Sequence, residues 1–577
     1  MPTLEFKGKP FVHAHHLSVP FRELVIDADK SLPGADGPSL DDNLIIHGDN
    51  LEALKALLPK YASKVDVIYI DPPYNTGKDD WRYNDSVNSP LMKNWLGSVV
   101  NRDDLERHDK WLSMMWPRVT LLRELMALNG VIFVSIDDNE VHNCKSLMDE
   151  IFGEGAWIGT IVWKNATDNN PTKIAVEHEY IHAFARAPEF LPKEWKAPLV
   201  EIKEAMLQKQ DEILSSGLSH EEMTDLYRRW YRSVRGQLGP LQGYDLIDSG
   251  GIYTASRSVH NPGRRGYDWD LLNPLTGKNV PKPMMGYRFP EGTRDELLDQ
   301  DRIIFSSDPD QLIRLKVYLN DYREKMPGVI EIDGRRGANE LRELSKGRSK
   351  LDFKNPKTVT LLEWLLSYTA SRESIILDSF AGSGTTGHAV LSLNKSDDGA
   401  RKFILIEAED YADSLTAERV RLAAKGVPES KDEGVRSGLG GSFTYCDLGE
   451  PMDMARFFDG ATPPAFEQVA RYVAYTATGA TLDVVTDGAD HFVGEAGGYR
   501  LHLIYRADAG FMRSDAAMLD MATAERIAAA GAGSGKPILV FAAGKYMGQK
   551  QLTAMGLTFA QLPYAIHRML PGDGDGE

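Results

Sequence analysis

Two short motifs, each at the end of an apolar strand pattern, place the strongest constraint on the fold of this chain. Asp71-Pro72-Pro73-Tyr74 directly follows the apolar, β-branched run 65–70, which is typical of a buried strand. The second motif, Asp-Ser-Phe-Ala-Gly-Ser-Gly-Thr-Thr at 378–386, lies between a strand pattern at 375–377 and a helical pattern. Strand and helix patterns alternate around both motifs, on either side of a long insertion. The sequence therefore predicts an α/β fold with one doubly wound, mostly parallel sheet that two chain segments build together.

The first motif has the chemistry to hold a planar amine. Ligands bind at the carboxyl ends of strands in an open α/β sheet. Pro72 and Pro73 restrict the backbone and supply no N–H donors, so their carbonyls remain available as acceptors. Asp71 and the Pro72 carbonyl can accept the two N–H bonds of an amine, while Tyr74 stacks on its ring. The tetrapeptide alone fits a plain Asp-Pro turn at the end of a strand equally well.

The second motif predicts a cofactor turn. Gly382 and Gly384 let the backbone turn tightly where the following helix also directs its N-terminus. No lysine follows the glycines, as a phosphate-binding P-loop requires, and a full Gly-x-Gly-x-x-Gly is absent. A cofactor without phosphate therefore fits better than ATP or NAD. The next strand pattern, 403–406, ends in Glu407, a position suited to binding ribose hydroxyls.

Composition excludes several classes of protein. The 577 residues include 66 Lys and Arg against 84 Asp and Glu, a net charge of −18 that argues against a simple phosphate-coating DNA binder. Apolar runs are too short to span a membrane, and no secretory signal is recognisable, so a soluble cytoplasmic protein is expected. Two cysteines are too few for a disulfide framework or a thiolate zinc site.

Two further patterns suggest ligand sites that the context does not favour. The segment 178–182 reads His-Glu-Tyr-Ile-His and matches the zinc-protease pattern, but that pattern requires a helix, and the alternation over 180–185 favours a strand. The segment 531–536 imitates a P-loop, yet Pro537 stands where a magnesium-binding Ser or Thr belongs. A flexible turn is expected there, and no metal site is expected in the chain.

Taken together, the motifs resemble those of DNA amino-methyltransferases of the permuted class, in which the catalytic motif precedes the cofactor motif. Within that class the chain is similar to the modification (Mod) subunits of type III restriction systems. The resemblance covers about 43–425, thins over 180–345, and continues more loosely into 470–479. It rests on the segments 44–54, 69–77, 111–115, 130–141, 353–357 and 380–386.

The resemblance implies a Rossmann-like methyltransferase core that uses S-adenosylmethionine to methylate N6 of an adenine flipped out of duplex DNA. The implied catalytic residues are Asp71, Pro72, Pro73 and Tyr74. The implied cofactor pocket comprises Asp49, Asp71, Lys357, Asp378, Phe380, Ala381, Gly382, Ser383, Gly384, Thr385 and Glu407. A homodimer and a restriction (helicase-nuclease) partner are implied as well. A stand-alone or other phage-defence adenine methyltransferase, a cytosine-N4 enzyme and a catalytically silent DNA-recognition subunit remain alternatives.

The expected organisation has five parts. An irregular arm (1–42) leads into the catalytic half of the core (43–180), a target-recognition insertion (181–350), the cofactor half (351–435) and a smaller α/β C-terminal domain (436–577). Across 228–290 the insertion carries ten Lys and Arg against four Asp and Glu, with interleaved aromatic residues, whereas 441–577 is acidic. A basic, aromatic segment suits contacts to phosphates and bases. The expected DNA contacts are Arg257, Arg264, Arg265, Tyr267, Trp269 and Arg288.

Overall fold

A computed structural model of the chain forms two compact units, one of Met1–Lys193 with Pro327–Glu577 and one of Glu194–Met326. The structure describes residues 3–76, 106–166, 173–197, 201–235, 238, 241–257, 259–261, 265–322, 324–346, 351, 353–431, 433–453, 456–457 and 463–562. In that part of the chain, no helix is both long and apolar enough to cross a membrane.

The strands are numbered in chain order. They are β1 (Arg22–Leu32), β2 (Leu44–His47), β3 (Val65–Ile70), β4 (Met126–Ile136), β5 (Trp157–Lys164), β6 (His178–Ala185), β7 (Lys196–Ala197), β8 (Leu246–Asp248), β9 (Gly251–Arg257), β10 (Ile303–Ile304), β11 (Arg314–Tyr318), β12 (Glu324–Lys325), β13 (Val329–Glu331), β14 (Ile375–Asp378), β15 (Lys402–Glu407), β16 (Phe443–Pro451), β17 (Phe492–Ala496), β18 (Tyr499–Leu503), β19 (Met518–Leu519), β20 (Ile538–Ala542), β21 (Gly544–Lys545) and β22 (Leu557–Gln561).

The α-helices are numbered in the same way. They are α1 (Lys9–Val12), α2 (His15–Ser18), α3 (Asn50–Tyr61), α4 (Arg107–Leu125), α5 (Val141–Phe152), α6 (Glu201–Leu214), α7 (His220–Val234), α8 (Glu291–Asp299), α9 (Arg335–Leu344), α10 (Val359–Thr369), α11 (Thr385–Asp397), α12 (Glu418–Lys425), α13 (Glu433–Ser437), α14 (Phe466–Thr478), α15 (Ala509–Met512), α16 (Met521–Gly531) and α17 (Gln549–Ala554).

One large sheet organises the first unit and confirms the predicted fold class. Its strand order is β1-β16-β2-β15-β14-β3-β4-β6-β5-β13. The central strands from β16 to β4 are parallel, and β3 pairs with β14, so the two predicted chain segments meet at the middle of the sheet. Strand β6 runs antiparallel to both β4 and β5. The carboxyl ends of β3, β14 and β15 therefore share one edge of the sheet with the beginning of β6.

Burial explains why these segments form the centre of the sheet. Strands β3, β14 and β15 are apolar and almost entirely buried, as expected for parallel strands that helices cover on both faces. Helices α3, α4 and α5 pack their apolar sides into the same core as these strands. The C-terminal part adds a four-stranded sheet, β17-β18-β20-β22, with an apolar core of its own.

Three expectations about the chain's organisation need correction. The N-terminal stretch is not wholly irregular, because β1 pairs with β16 at the edge of the large sheet. The helical spacing over 111–128 and the Asn129-Gly130 pair predict a helix that reaches residue 128, but α4 ends at Leu125 and β4 begins at Met126. The insertion that forms a separate compact unit is shorter than 181–350, because the chain returns to the first unit at Pro327 and supplies β13 and α9 there.

Candidate active site

A cavity of about 560 Å³ opens at the carboxyl ends of β3, β14 and β15. Residues 71–73 line it from the end of β3, residues 378–383 with Thr385 and Thr386 from the turn after β14, and residues 406–409 from the end of β15. The rest of the wall consists of Asn50, Tyr69, Met114, Phe353, Lys357, Leu362 and Tyr411. Both sequence motifs therefore face one cavity, as ligand binding at this edge of an α/β sheet requires.

The Asp-Pro-Pro-Tyr motif is held by contacts that leave one acceptor unused. Asp71 Oδ2 lies 3.0 Å from the ammonium Nζ of Lys357. Asp71 Oδ1 is shielded from solvent and accepts no hydrogen bond from any residue that the structure describes. Trp111 Nε1 on α4 donates to the Pro73 carbonyl at 2.7 Å, so this indole fixes the loop through Pro73 and not through Pro72. A buried carboxylate oxygen without a donor is costly in a structural role and is therefore a candidate ligand group.

A second carboxylate, Glu179 at the start of β6, joins the same site. Tyr74 Oη donates to Glu179 Oε2 at 2.8 Å, and Lys357 Nζ lies 3.1 Å from the same oxygen. Lys357 Nζ also lies 2.8 Å from Tyr74 Oη and 4.9 Å from the centre of the tyrosine ring. One lysine thus contacts two carboxylates and the aromatic side chain of the motif.

The glycine turn is built around a different aspartate. Asp378 Oδ1 accepts from the Phe380 N–H at 3.0 Å, and Oδ2 accepts from Thr386 Oγ1 at 2.5 Å. Gly384 has a φ of +77°, and a Cβ on it would lie 2.7 Å from the Thr416 carbonyl oxygen, so only glycine fits there without strain. The turn is connected to β15 by the Gly382 N–H, which donates to Glu407 Oε2 at 2.7 Å.

Burial dominates the electrostatics of the site. It raises the pKa of Asp71, an effect that Lys357 opposes and the charge of Glu179 reinforces. Burial also opposes the charge of Lys357, yet the carboxylates of Asp71 and Glu179 outweigh it and raise the lysine pKa. Burial raises the pKa of Asp378 to about 7, and no cation is among the described groups that influence it most. Two carboxyl groups share one lysine, so the three groups together are negatively charged when both carboxyl groups are ionised.

Comparison with known proteins agrees with this geometry. The N6/N4 DNA methylase family model matches residues 65–418, which include both motifs and all of the cavity wall except Asn50. The chain belongs to the N6/N4 DNA methylase family.

Within this methylase family, two type III Mod subunits and one type II enzyme are similar to the chain. The EcoP15I Mod subunit of Escherichia coli is 43% identical over 68% of this chain and 64% of its own length. The StyLTI Mod subunit of Salmonella typhimurium is 28% identical over 79% of this chain and 68% of its own length. The type II methyltransferase M.KpnI of Klebsiella pneumoniae is 26% identical over 67% of this chain and 84% of its own length. The match to the EcoP15I subunit therefore spans less than two thirds of that relative.

Most residues expected at the methylase site line the cavity. Besides residues 71–73 these are Lys357, Asp378, Phe380, Ala381, Gly382, Ser383, Thr385 and Glu407. Gly384 is the N-cap residue directly before α11 and shapes the turn, and neither it nor Tyr74 lines the cavity itself. Asp49 does not line the cavity, because its carboxylate caps the N-terminus of α3 through the N–H groups of Leu51 and Glu52. Its neighbour Asn50 lines the cavity in its place.

Sequence reasoning missed Glu179 and the role of Trp111. Glu179 lies within the His-Glu-Tyr-Ile-His segment, which the structure places on strand β6 and not on a helix. His182 is occupied by Thr160 and the Val141 carbonyl, and the described residues contain no cluster of three or more potential metal ligands among His, Cys, Asp and Glu. A signal for Glu179 existed in the strand pattern, but only the antiparallel direction of β6 brings its first residues to the carboxyl ends of the parallel strands.

The expected DNA contacts have mixed positions in the second unit. Arg265, Tyr267 and Arg288 are exposed. Trp269 is buried and stacks on Tyr287 with ring centres 3.5 Å apart, so it belongs to the core of this unit and its prediction as a DNA contact needs correction. Arg257 ends β9, and Arg264 lies outside the described residues.

Proposed function

We propose that the protein methylates N6 of adenine in duplex DNA with S-adenosylmethionine as the methyl donor, as the modification subunit of a type III restriction-modification system. The observation that carries the proposal is the buried Asp71 Oδ1, which has no described donor and belongs to an Asp-Pro-Pro-Tyr motif in a cavity that the glycine turn also lines. Membership of the N6/N4 DNA methylase family and similarity to Mod subunits support it.

The cavity suits a nucleoside cofactor that has no phosphate. The buried carboxylate of Glu407 lines the cavity and is oriented by the N–H groups of Gly382 and Glu409, and the second lone pair of each oxygen can accept from a ribose hydroxyl. The glycine turn supplies close backbone approach without a lysine that would bind phosphate. S-Adenosylmethionine matches this donor set and, when bound, supplies a sulfonium methyl group. When Asp71 and Glu179 are both ionised, their excess negative charge suits a positively charged cofactor.

Asp71, Pro72 and Tyr74 have complementary tasks in this proposal. The adenine amine is a weak nucleophile because its lone pair is delocalised into the ring. Hydrogen bonds from that amine to Asp71 Oδ1 and the Pro72 carbonyl favour a pyramidal nitrogen and stabilise the positive charge that develops on it. Orientation on the Tyr74 ring contributes a further part of the rate. The base is buried in the stack of a duplex, so the enzyme has to flip it out.

An aspartate at the head of the motif favours adenine, because cytosine-N4 enzymes more often carry serine there. The exposed Arg265 and Arg288 of the second unit suit contacts to DNA phosphates. By similarity to Mod subunits, the further proposed partners are a second copy of the chain and a restriction subunit.

The test is methyl transfer to duplex DNA by the purified protein with labelled S-adenosylmethionine. Label on N6-methyladenine, with transfer abolished by Asp71→Ala and by Tyr74→Ala, is the expected result. Asp483→Ala is the matched control, because Asp483 is exposed and pairs only with the surface residue Lys64 among its described ion pairs. Label on cytosine would point to the N4 alternative, and absence of transfer would contradict an active methylase.

Sequencing of modified bases in DNA from an expressing host would identify the target sequence. Modification that depends on Asp71 and occurs at one short, defined sequence is the result expected of a site-specific DNA methylase.

A further inference from the structure

Glu179 holds a central place in the site although it belongs to neither sequence motif. Its Oε1 accepts from the Asn165 side-chain amide at 2.7 Å. Its Oε2 accepts from Tyr74 Oη at 2.8 Å and lies 3.1 Å from Lys357 Nζ. Both oxygens accept from protein groups, and Glu179 does not line the cavity. The contacts instead connect Glu179 to the two side chains that surround the candidate substrate acceptor.

The contacts of Lys357 show how Glu179 acts on Asp71. An ammonium group has three donors, and Lys357 directs them at Asp71 Oδ2, Glu179 Oε2 and Tyr74 Oη. This arrangement assigns the lysine to Oδ2 and leaves Oδ1 of Asp71 without a described donor. The backbone of Lys357 is held separately, because its carbonyl accepts from Thr385 Oγ1 in the glycine turn at 3.2 Å. The lysine is thus fixed from the cofactor side and from the catalytic side.

We propose that Glu179 is a positioning residue for the methyl transfer, which through Lys357 and Tyr74 fixes both the free acceptor oxygen of Asp71 and the stacking ring. This inference rests on the proposed function. Without the Glu179 charge, Lys357 has only one carboxylate partner in the site and can bridge both oxygens of Asp71. A glutamine in place of Glu179 has a single acceptor oxygen for Tyr74 and Asn165, which use different oxygens of the carboxylate, so the contact that orients the Tyr74 ring is weakened.

The groups facing Asp71 set the direction of the expected pH dependence. They are Lys357, Glu179, Tyr69, Tyr74 and Asp378. Asp71 stabilises the positive charge that develops on the amine only when it is ionised, and after burial the negative charge of Glu179 is among the causes that raise the pKa of Asp71. Replacing Glu179 by a neutral group lowers the pKa of Asp71. The acid limb of the rate profile therefore moves to lower pH.

The experiment compares wild type with Glu179→Gln in methyl transfer to duplex DNA. We expect kcat to fall by about 10- to 100-fold, since small displacements of aligned groups have effects of that size. The KM for S-adenosylmethionine should stay within about twofold, because Glu179 does not line the cavity. The acid limb of kcat should move to lower pH, which a merely structural defect would not produce.

Two further variants keep the inference falsifiable. Glu331→Gln removes an exposed Lys–Glu pair between neighbouring strands, Lys164 on β5 and Glu331 on β13, and should leave kcat unchanged. Tyr74→Phe keeps the ring and removes only the hydroxyl group that donates a hydrogen bond to Glu179. Its loss of rate and that of Glu179→Gln should combine less than multiplicatively in the double variant, because both act through one contact.

Each outcome separates this inference from the proposed function. An active wild type with unchanged kcat in Glu179→Gln, or with a reduced kcat and an unmoved acid limb, would overturn the positioning role. Fully multiplicative losses in the double variant would also overturn it, even if Glu179→Gln lowers the thermal midpoint. An inactive wild type would contradict the proposed function instead.

Discussion

Asp71 and Asp378 occupy equivalent places in the fold but have opposite surroundings. Each lies at the carboxyl end of a parallel strand, and β3 and β14 are neighbours in the sheet. Both carboxylate oxygens of Asp378 accept hydrogen bonds from the glycine-turn motif, one from Phe380 and one from Thr386. Asp71 instead pairs one oxygen with Lys357, and its other oxygen has no described donor. The comparison teaches that Asp378 builds a turn, whereas Asp71 keeps one acceptor oxygen available to a ligand.

The largest expected effect is on Asp71. Asp71→Asn keeps the shape but removes the negative charge that faces the developing positive charge on the amine. We expect the single-turnover rate of methyl transfer to fall by about 10²–10³-fold. Cofactor binding, measured by calorimetry, should change far less. An Asp71→Asn enzyme with near wild-type rate would remove the distinction between the two aspartates.

Asp378→Asn tests the structural half of the comparison through the pH dependence of stability. Burial raises the pKa of Asp378 from 3.8 to about 7 in the folded protein. Because the folded state holds this proton more tightly than the unfolded state, the wild type loses stability as pH rises from about 4 to 7. The variant lacks this loss, which amounts to at most about 4 kcal/mol.

The measurement is urea unfolding of wild type and variant at pH 5 and pH 8. The difference in the free energy of unfolding should shift in favour of Asp378→Asn at the higher pH. A difference independent of pH would show that Asp378 is ionised in the folded protein throughout this range.

A smaller effect is expected at Gly384, whose conformation the Asp378 turn imposes. Gly384→Ala combines a left-handed φ of +77° with a Cβ that would lie 2.7 Å from the Thr416 carbonyl oxygen. Gly479→Ala is the matched control, because its φ is +70° and nothing lies within 4 Å of its Cβ position. We expect the control to lose about 1–2 kcal/mol of unfolding free energy.

Gly384→Ala should lose at least about 1 kcal/mol more than the control, because the carbonyl has to move. It should also weaken binding of S-adenosylmethionine, which Gly479→Ala should not. Equal losses in the two variants would mean that the turn relaxes without cost and does not depend on a close backbone approach.

The smallest effect is expected outside the site, at the exposed Arg265 of the second unit. Arg265→Ala should weaken DNA binding and reduce the slope of log affinity against log salt by about 1, as for one lost phosphate contact. The rate of methyl transfer at saturating DNA should not change. The salt dependence can be followed by fluorescence anisotropy. An unchanged slope would show that the recognition surface lies elsewhere, while the comparison of the two aspartates would stand.

Local patterns predicted much of this site because they depend on neighbours in the chain. The apolar run before Asp71 and the glycines after Asp378 specify a strand end and a tight turn wherever they occur, and the structure has both. Trp269 shows the limit of such reasoning. Its place in a basic, aromatic segment suggested a DNA contact, but burial is a property of the folded unit, and there it packs on Tyr287.

Asp49 and Glu179 show the same limit, because the first was expected in the site and does not line it, whereas the second was not expected and contacts its residues. Asp49 precedes a helical pattern, and its carboxylate accepts hydrogen bonds from the first N–H groups of α3. It therefore caps the helix and does not line the cofactor cavity. Glu179 lies in a segment whose two histidines match a metal-binding pattern. It is the glutamate, however, that contacts Tyr74 and Lys357 in the candidate site.

The sequence by itself determined the α/β class of the fold, the two strand-ending motifs and their chemistry, because strand patterns, prolines and glycines act locally. Only the tertiary structure decided which carboxylates stay available. Strand order brings β3 beside β14, and the antiparallel β6 brings Glu179 to Lys357 and Tyr74. Whether a buried acid is satisfied depends on groups far away in the chain, and sequence spacing does not encode those distances.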